Sequence, residues 1–289
     1  MGSLTHGAKR ALRAFVPLAV RKRAAIWLGG RTWLTPRHWW VTELLRDYAA
    51  RDPDGYHRFL WAHHLGYAET YEVARRFGAE NINETRRLLF ADLREHLTGL
   101  GMDPQREVHS VFEVGCSIGY LLRFLETNVF PAAESLEGID IDRHAVRAGS
   151  AWLAGQGSKV RITVADMADL DRVVGKRRFD VMLCAGVLMY LRRESAAQVV
   201  GAMLRRTGHV LALSGLAHPE RDNAELEESG VRARDGTFIH NLDAMVRQAG
   251  GRVVRRRWEG ARVVDGNTIY FVFAERATTT SGSGREQGT

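Results

Sequence analysis

The densest chemistry in the chain lies at 111–119, VFEVGCSIG, where an apolar run meets an acid, Glu113. It then opens into a turn holding Gly115, Cys116, Ser117 and Gly119. The run YLLRFLE follows at once and reads as helix. A strand that passes through a glycine turn into a helix leaves backbone N–H groups free at the helix start, where a ligand can approach the main chain. A second acid, Asp140, ends SLEGID twenty-five residues past Gly115. From a strand end it can accept two hydrogen bonds from a ribose diol, with Ile141 offering an apolar face to an adenine. Asp142 is assigned the other duty available there, capping the following helix. Asp166, after VRITV, can accept from an adenine amino group while Met167 packs on the ring. The stretch FDVMLCAGVLMYL runs through Cys184, turns at Ala185-Gly186 and reaches Tyr190. A fifth point, SGLAHPE, puts His218 in a loop.

These groups need elements to bring them together. Strand-like runs at 108–114, 135–139, 160–164, 179–184 and 209–214 alternate with helix-like runs. That alternation predicts an α/β domain with a parallel sheet, whose strand ends form the ligand-binding rim. The connection 215–240 is long and holds Pro219, Gly230 and Gly236, so it reads as a lid or acceptor-binding segment. A helix, NLDAMVRQAG, and β runs at 252–264 and 268–274 close the domain, with Asp265-Gly266-Asn267 as a hairpin turn. Three helices are expected upstream. The first, TELLRDYAA, stops at Asp52-Pro53. The second starts at Pro53-Asp54, carries Trp61, Tyr71 and Val73, and ends at Gly78. The third runs from an Asn83 cap to Gly99. His57, His63 and His64 read as surface or packing histidines, with substrate contact as the lesser alternative. The organisation expected is a basic amphipathic arm at 1–42, a helical acceptor or cap region at 43–105, the ligand-binding domain at 106–276 and a disordered tail at 277–289.

Charge separates the arm from the body. The chain holds 41 Lys and Arg against 34 Asp and Glu. Residues 1–42 contain eight of the basic residues and none of the acidic ones, which leaves the remainder near neutral. A nucleic-acid enzyme would carry its positive charge around the rim, so that class is disfavoured. In the arm, basic residues interleave with Phe15, Ile26, Trp27, Trp33, Trp39 and Trp40. The pattern suits a helical arm packed on the body, a membrane-surface helix, a basic arm that binds nucleic acid or a targeting segment. No apolar run reaches 18 residues, so no membrane span is expected. Two cysteines alone fit a reducing, cytoplasmic setting better than a disulfide framework. They also cannot build a structural zinc site.

The order and spacing of these motifs resemble class I S-adenosylmethionine-dependent methyltransferases. The strongest part is EVGCSIG, similar to the family's E/D-x-G-x-G-x-G turn, with Ser117 standing for the middle glycine. The dinucleotide pattern G-x-G-x-x-G is not met, which argues against NAD. The resemblance covers about 108–275 and implies a Rossmann-like, seven-stranded, mostly parallel sheet with an antiparallel last strand. It implies S-adenosyl-L-methionine as cofactor, with Glu113, Gly115, Cys116 and Gly119 around the methionine end. Asp140 would hold the ribose, Asp166 and Met167 would meet the adenine, and Cys184, Gly186 and Tyr190 would line the floor near the methyl group. The expected acceptor is a small molecule, such as a sugar or glycan precursor or a natural product, methylated on oxygen or nitrogen. Should a base be needed, His218 is the first choice, with His144 and His240 behind it. No metal is expected, because no acidic cluster follows the fourth strand. The competing readings are a nucleic-acid methyltransferase and a non-catalytic S-adenosylmethionine-binding protein docked at a membrane.

Overall fold

Alternation along the apolar runs decides which residues face which layer. A computed structural model describes residues 15–29, 37–66, 82–232 and 235–277. Its strands are β1 (Ser110–Val114), β2 (Ser135–Asp140), β3 (Arg161–Val164), β4 (Phe179–Ala185), β5 (Thr207–Gly215), β6 (Gly230–Val231), β7 (Phe238–Ile239), β8 (Gly251–Val264) and β9 (Asn267–Arg276). Seven of them form one sheet in the order β3-β2-β1-β4-β5-β9-β8, while β6 and β7 pair separately. The first five are parallel, and β9 runs antiparallel to β5 and β8. This is the expected sheet with its antiparallel last strand. β9 lies inside the sheet, and Ile269 to Ala274 are accordingly buried on both faces.

The helices are α1 (Leu18–Gly29), α2 (Arg37–Arg51), α3 (Pro53–Ala62), α4 (Glu84–Gly99), α5 (Pro104–Glu107), α6 (Tyr120–Phe124), α7 (Arg143–Gly155), α8 (Leu170–Val174), α9 (Arg193–Arg206) and α10 (Leu242–Gln248). One face of the sheet presents Val111, Val181, Leu183 and Ala185 to Leu89, Phe90, Leu93 and Leu97 of α4. The other presents Phe112, Val114, Met182 and Cys184 to Val199, Val200 and Met203 of α9 and to Leu242 and Met245 of α10. Burying each such large side chain contributes about 1.5–3 kcal/mol.

The upstream helices form a satellite layer. α1 docks on α2 through Arg21, which is 3% exposed and donates to both Asp47 oxygens, at 2.5 and 2.9 Å. The guanidinium holds the Asp47 carboxyl below its usual range. Part of the arm's basic charge is therefore neutralised inside the fold. α3 begins as the sequence predicts, with Gly55 N donating to Asp52 Oδ1 at 2.9 Å. Its expected run to Gly78 is not realised: the helix ends at Ala62, and His64 takes a left-handed φ of 58°. Tyr71, Val73 and Gly78 lie outside the described residues, as do Lys9, Arg10, Arg13, Trp33 and the tail from 278. α4 starts at its expected cap, Asn83, whose Oδ1 accepts from Arg86 N.

The long connection after β5 is fastened to the body. Buried Asn223 donates to the Leu216 and His240 carbonyls and accepts from Trp258 Nε1 and His218 N. His240 is buried too, with Nδ1 at 2.7 Å from Ser229 Oγ and Nε2 facing the Leu188 and Leu191 carbonyls. Its ring supports the loop and is not available as a base.

Candidate active site

A cavity of about 520 Å³ opens at the C-terminal ends of β1, β2 and β4. β2 and β4 flank β1, and the chain winds outward from it in opposite directions. That reversal is where open α/β sheets bind ligands. The glycine turn after β1 forms its floor. Gly115 has φ 77°, and a Cβ there would lie 2.4 Å from Val187 Cγ2, so the turn after β4 comes too close for any side chain. Ser117 holds φ 51°, a left-handed conformation that costs a residue with a side chain about 1–2 kcal/mol. The serine thus preserves the backbone shape of the glycine it replaces. Its N–H donates to Asp140 Oδ2 at 2.8 Å, which ties the turn to β2.

Burial raises the Asp140 carboxyl above its ordinary range, against hydrogen bonds from the Asp142 and Ser117 amides. Asp142 caps α7 as expected, accepting from His144 N and Ala145 N on Oδ1. Ile141 and Met167 line the same wall. Asp166 lines it as well, but both its oxygens are engaged: Oδ1 accepts from Ala168 N at 2.9 Å and Oδ2 pairs with Arg58 Nε at 2.8 Å. The sequence reading left Asp166 with an adenine and gave it no protein partner. Cys116 reaches the cavity, yet its side chain packs on Gly138 of β2, where an added Cβ would meet the sulfur at 2.8 Å. Burial pushes its thiol well up.

Three expected site residues stand elsewhere. Cys184 falls on the opposite face of β4, fully buried among Met182, Leu188 and Val200, with its thiol pushed up to about 12. Strand parity explains the miss, because Ala185 and Gly186 carry the rim. His218 does not line the cavity; its Nδ1 accepts from Glu220 N and Arg221 N and closes its own loop. A ring spent on that turn is no base for this site. Gly119 is a left-handed hinge into α6, packed against Leu153 and Ile162 and away from the cavity. Tyr190 does face the cavity, with its ring 5.2 Å from both His57 and Trp61.

Other cavity-lining residues come from the upstream helices, where the sequence reads His57 first as a surface or packing residue, and from the β8–β9 turn. α3 roofs the rim and is pinned at three points. Asp54 accepts from Arg192 N and Ser195 Oγ, Arg58 pairs with Asp166, and His64 Nδ1 sits 2.8 Å from Asp142 Oδ2. Between these pins it lowers His57 and Trp61 into the cavity. His57 is 6% exposed, and desolvation lowers its pKa despite a hydrogen bond to the Gly236 backbone. Arg86, in the first turn of α4, enters beside Glu113, and the β8–β9 turn contributes Asp265 and Asn267. Asp265 Oδ2 accepts from Glu84 N at 2.6 Å and Thr85 Oγ1 donates to the Val264 carbonyl, so this turn holds the start of α4. Glu113 is fully buried, and desolvation raises its carboxyl to about 8, with Arg86 opposing and Asp140 adding to the rise.

The sheet order, with the glycine turn after β1 and an acid at the end of β2, is that of the Rossmann-like methyltransferase fold. Residues 111–208 match the family model described as "Methyltransferase domain", which spans β1 to the start of β5. The fold is similar to magnesium protoporphyrin IX methyltransferase from Synechocystis PCC 6803, solved with bound S-adenosylhomocysteine. Identity is 14% and the TM-score 0.53, over 78% of this chain and 100% of that one. It is also similar to 1,6-didemethyltoxoflavin-N1-methyltransferase from Burkholderia thailandensis, at 15% identity and a TM-score of 0.54, over 80% of this chain and 90% of that one. No curated protein sequence matches the chain.

Proposed function

We propose that this domain transfers the methyl group of S-adenosylmethionine to an oxygen or nitrogen of a small molecule with a flat ring face. The observation that carries the reading is one cavity with two unlike walls. One is the glycine turn with Asp140, and the other is the aromatic cluster of His57, Trp61 and Tyr190. The residues fit the donor: Gly115 and Ser117 bring main chain to the cavity wall, and buried Glu113 Oε2 has no hydrogen-bond partner. Asp140 and Ile141 hold the ribose and adenine side, with Met167 on the ring and Asp166 at the edge beside Arg58. Gly115, Cys116 and Ser117 offer backbone to the methionine side, and Gly186 and Tyr190 face the reacting end. The two similar structures are named for magnesium protoporphyrin IX and 1,6-didemethyltoxoflavin. At their identities they speak for the fold, so the acceptor reading rests on the aromatic wall.

The donor supplies an already activated methyl, so the chain's work is alignment and exclusion of water. α3 closes the rim and supplies both. With one ring nitrogen donated to the Gly236 backbone and the ring kept neutral by burial, His57 presents an acceptor nitrogen that can take the proton of a hydroxyl or ammonium. The decisive test is calorimetry with S-adenosylmethionine, S-adenosylhomocysteine and NAD on wild type and Asp140→Ala. S-adenosyl ligands should bind and the variant should lose at least about tenfold. Tighter NAD binding, or an indifferent variant, would sink the reading.

For the segment that leads into α1 we propose a separate partner, an anionic membrane surface. Phe15 and Val20 are 84% and 52% exposed beside a segment rich in Lys and Arg. Among the described residues no helix is long and apolar enough to cross a membrane. Co-sedimentation with phosphatidylserine vesicles tests surface contact: a Phe15→Glu/Val20→Glu chain that pellets as wild type does would retire it.

A further inference from the structure

S-adenosylmethionine ends in an amino acid, with an ammonium and a carboxylate on one carbon. The assignments above leave that carboxylate without a partner. Two ionisable groups of opposite kind stand at the same end of the cavity, a buried Glu113 and a half-buried Arg86. Glu113 is 2% exposed and its Oε2 makes no hydrogen bond. Arg86 donates Nη1 to Ser214 Oγ at 3.1 Å and Nη2 to the Ala185 carbonyl at 3.0 Å, and it also bonds the Tyr120 hydroxyl. Its Nε is buried and makes no hydrogen bond. The two groups sense each other's charge but form no ion pair. The half-buried guanidinium lacks a counter-ion, and its buried Nε is a donor left unfilled, which carries a cost. The other cation on the rim, Arg58, is already paired with Asp166.

We infer that Arg86 receives the donor's carboxylate while the Glu113 carboxyl faces its ammonium. The assignment rests on the S-adenosylmethionine reading and reaches outside the matched domain, because Arg86 lies on α4. The approach is prepared on both sides. Gly186 lacks the Cβ that would stand 2.9 Å from Arg86 Nη2. The Asn83 cap and the Asp265 contact fix the helix turn from which the guanidinium extends. Planar, always charged and rich in donors, Arg suits a carboxylate better than Lys does.

A structural role for Arg86, tying α4 to the ends of β4 and β5, would affect every adenosyl ligand alike. The test therefore uses the full chain with three probes: S-adenosylhomocysteine, decarboxylated S-adenosylmethionine and 5′-methylthioadenosine, which lacks the amino-acid end. Calorimetry is run on wild type, Arg86→Lys and Arg86→Ala, with thermal melts to compare folding. Arg86→Ala should weaken S-adenosylhomocysteine roughly 10- to 100-fold and leave 5′-methylthioadenosine within about twofold, with Arg86→Lys in between. Wild type should prefer the carboxylated probes, and Arg86→Ala should lose that preference. Equal losses for all three probes, or a preference that survives in Arg86→Ala, would overturn the assignment. A wild type that binds 5′-methylthioadenosine but shows no preference for the carboxylate overturns it and spares the donor reading. Wild type that binds none of the three overturns both.

Discussion

Glu113 shows how one residue can be read correctly for place and missed for state. Its position two residues before the glycine turn marks it as part of the rim, but nothing in VFEVGCSIG states that its carboxyl is fully desolvated. The folded carboxyl titrates near 8, well above the ordinary carboxylate value in an unfolded chain. Between those values the folded state holds the extra proton, so stability falls as pH rises, by at most about 1.4 kcal/mol per unit. The contribution is complete below the unfolded value and lost above about 8. Asp140 is raised by burial too and acts with the same sign. Glu113→Gln should flatten the slope between pH 6 and 8, as urea titrations at the two pH values would read. A slope identical to wild type would contradict the assignment. Asp140 and Asp142 were legible because each follows from a local rule, a strand-end acid and a helix cap. Arg86 and Arg58 were not, since their partners lie about 100 residues away along the chain, where no spacing rule reaches.

At the scale of elements, the strands and α7 were legible because their periodicity is strong and their ends carry Gly, Asp or Pro. α3 was not legible in extent. Trp61, Leu65, Tyr71 and Val73 continue a helical pattern, yet the chain turns at His64, whose bond to Asp142 pulls it onto the rim. Tertiary contact overrides propensity there. The β8–β9 turn was read as a hairpin and is one, with Asp265 at φ 49° and Gly266 at φ 76°. Its second duty, holding the first turn of α4, is invisible to turn rules. Asp265→Gly keeps the positive φ and deletes the acceptor for Glu84 N. It should cost stability by about 0.5–1.5 kcal/mol. It should also weaken S-adenosylhomocysteine severalfold through Arg86. Unchanged ligand affinity in that variant would separate the turn from the site.

The whole molecule joins three parts: a sheet domain, a roof made by α3, and an arm whose α1 rests on α2. Composition exposed the arm's charge, but it could not show that Arg21 is consumed by Asp47. The proposed membrane contact rests on the exposed Phe15 and Val20 together with the charge of the segment that carries them. Vesicle binding should therefore fall with added salt, since screening shortens to about 10 Å at 0.1 M. It should fall further for Phe15→Glu/Val20→Glu. The fastening of Glu84 by Asp265 also orders events during synthesis. The floor and roof leave the ribosome early, while the residue that steadies the start of α4 emerges 181 positions later. A nascent chain halted before the β8–β9 turn should hold the glycine turn and its strands yet grip an adenosyl ligand poorly, so competence to bind arrives late in translation.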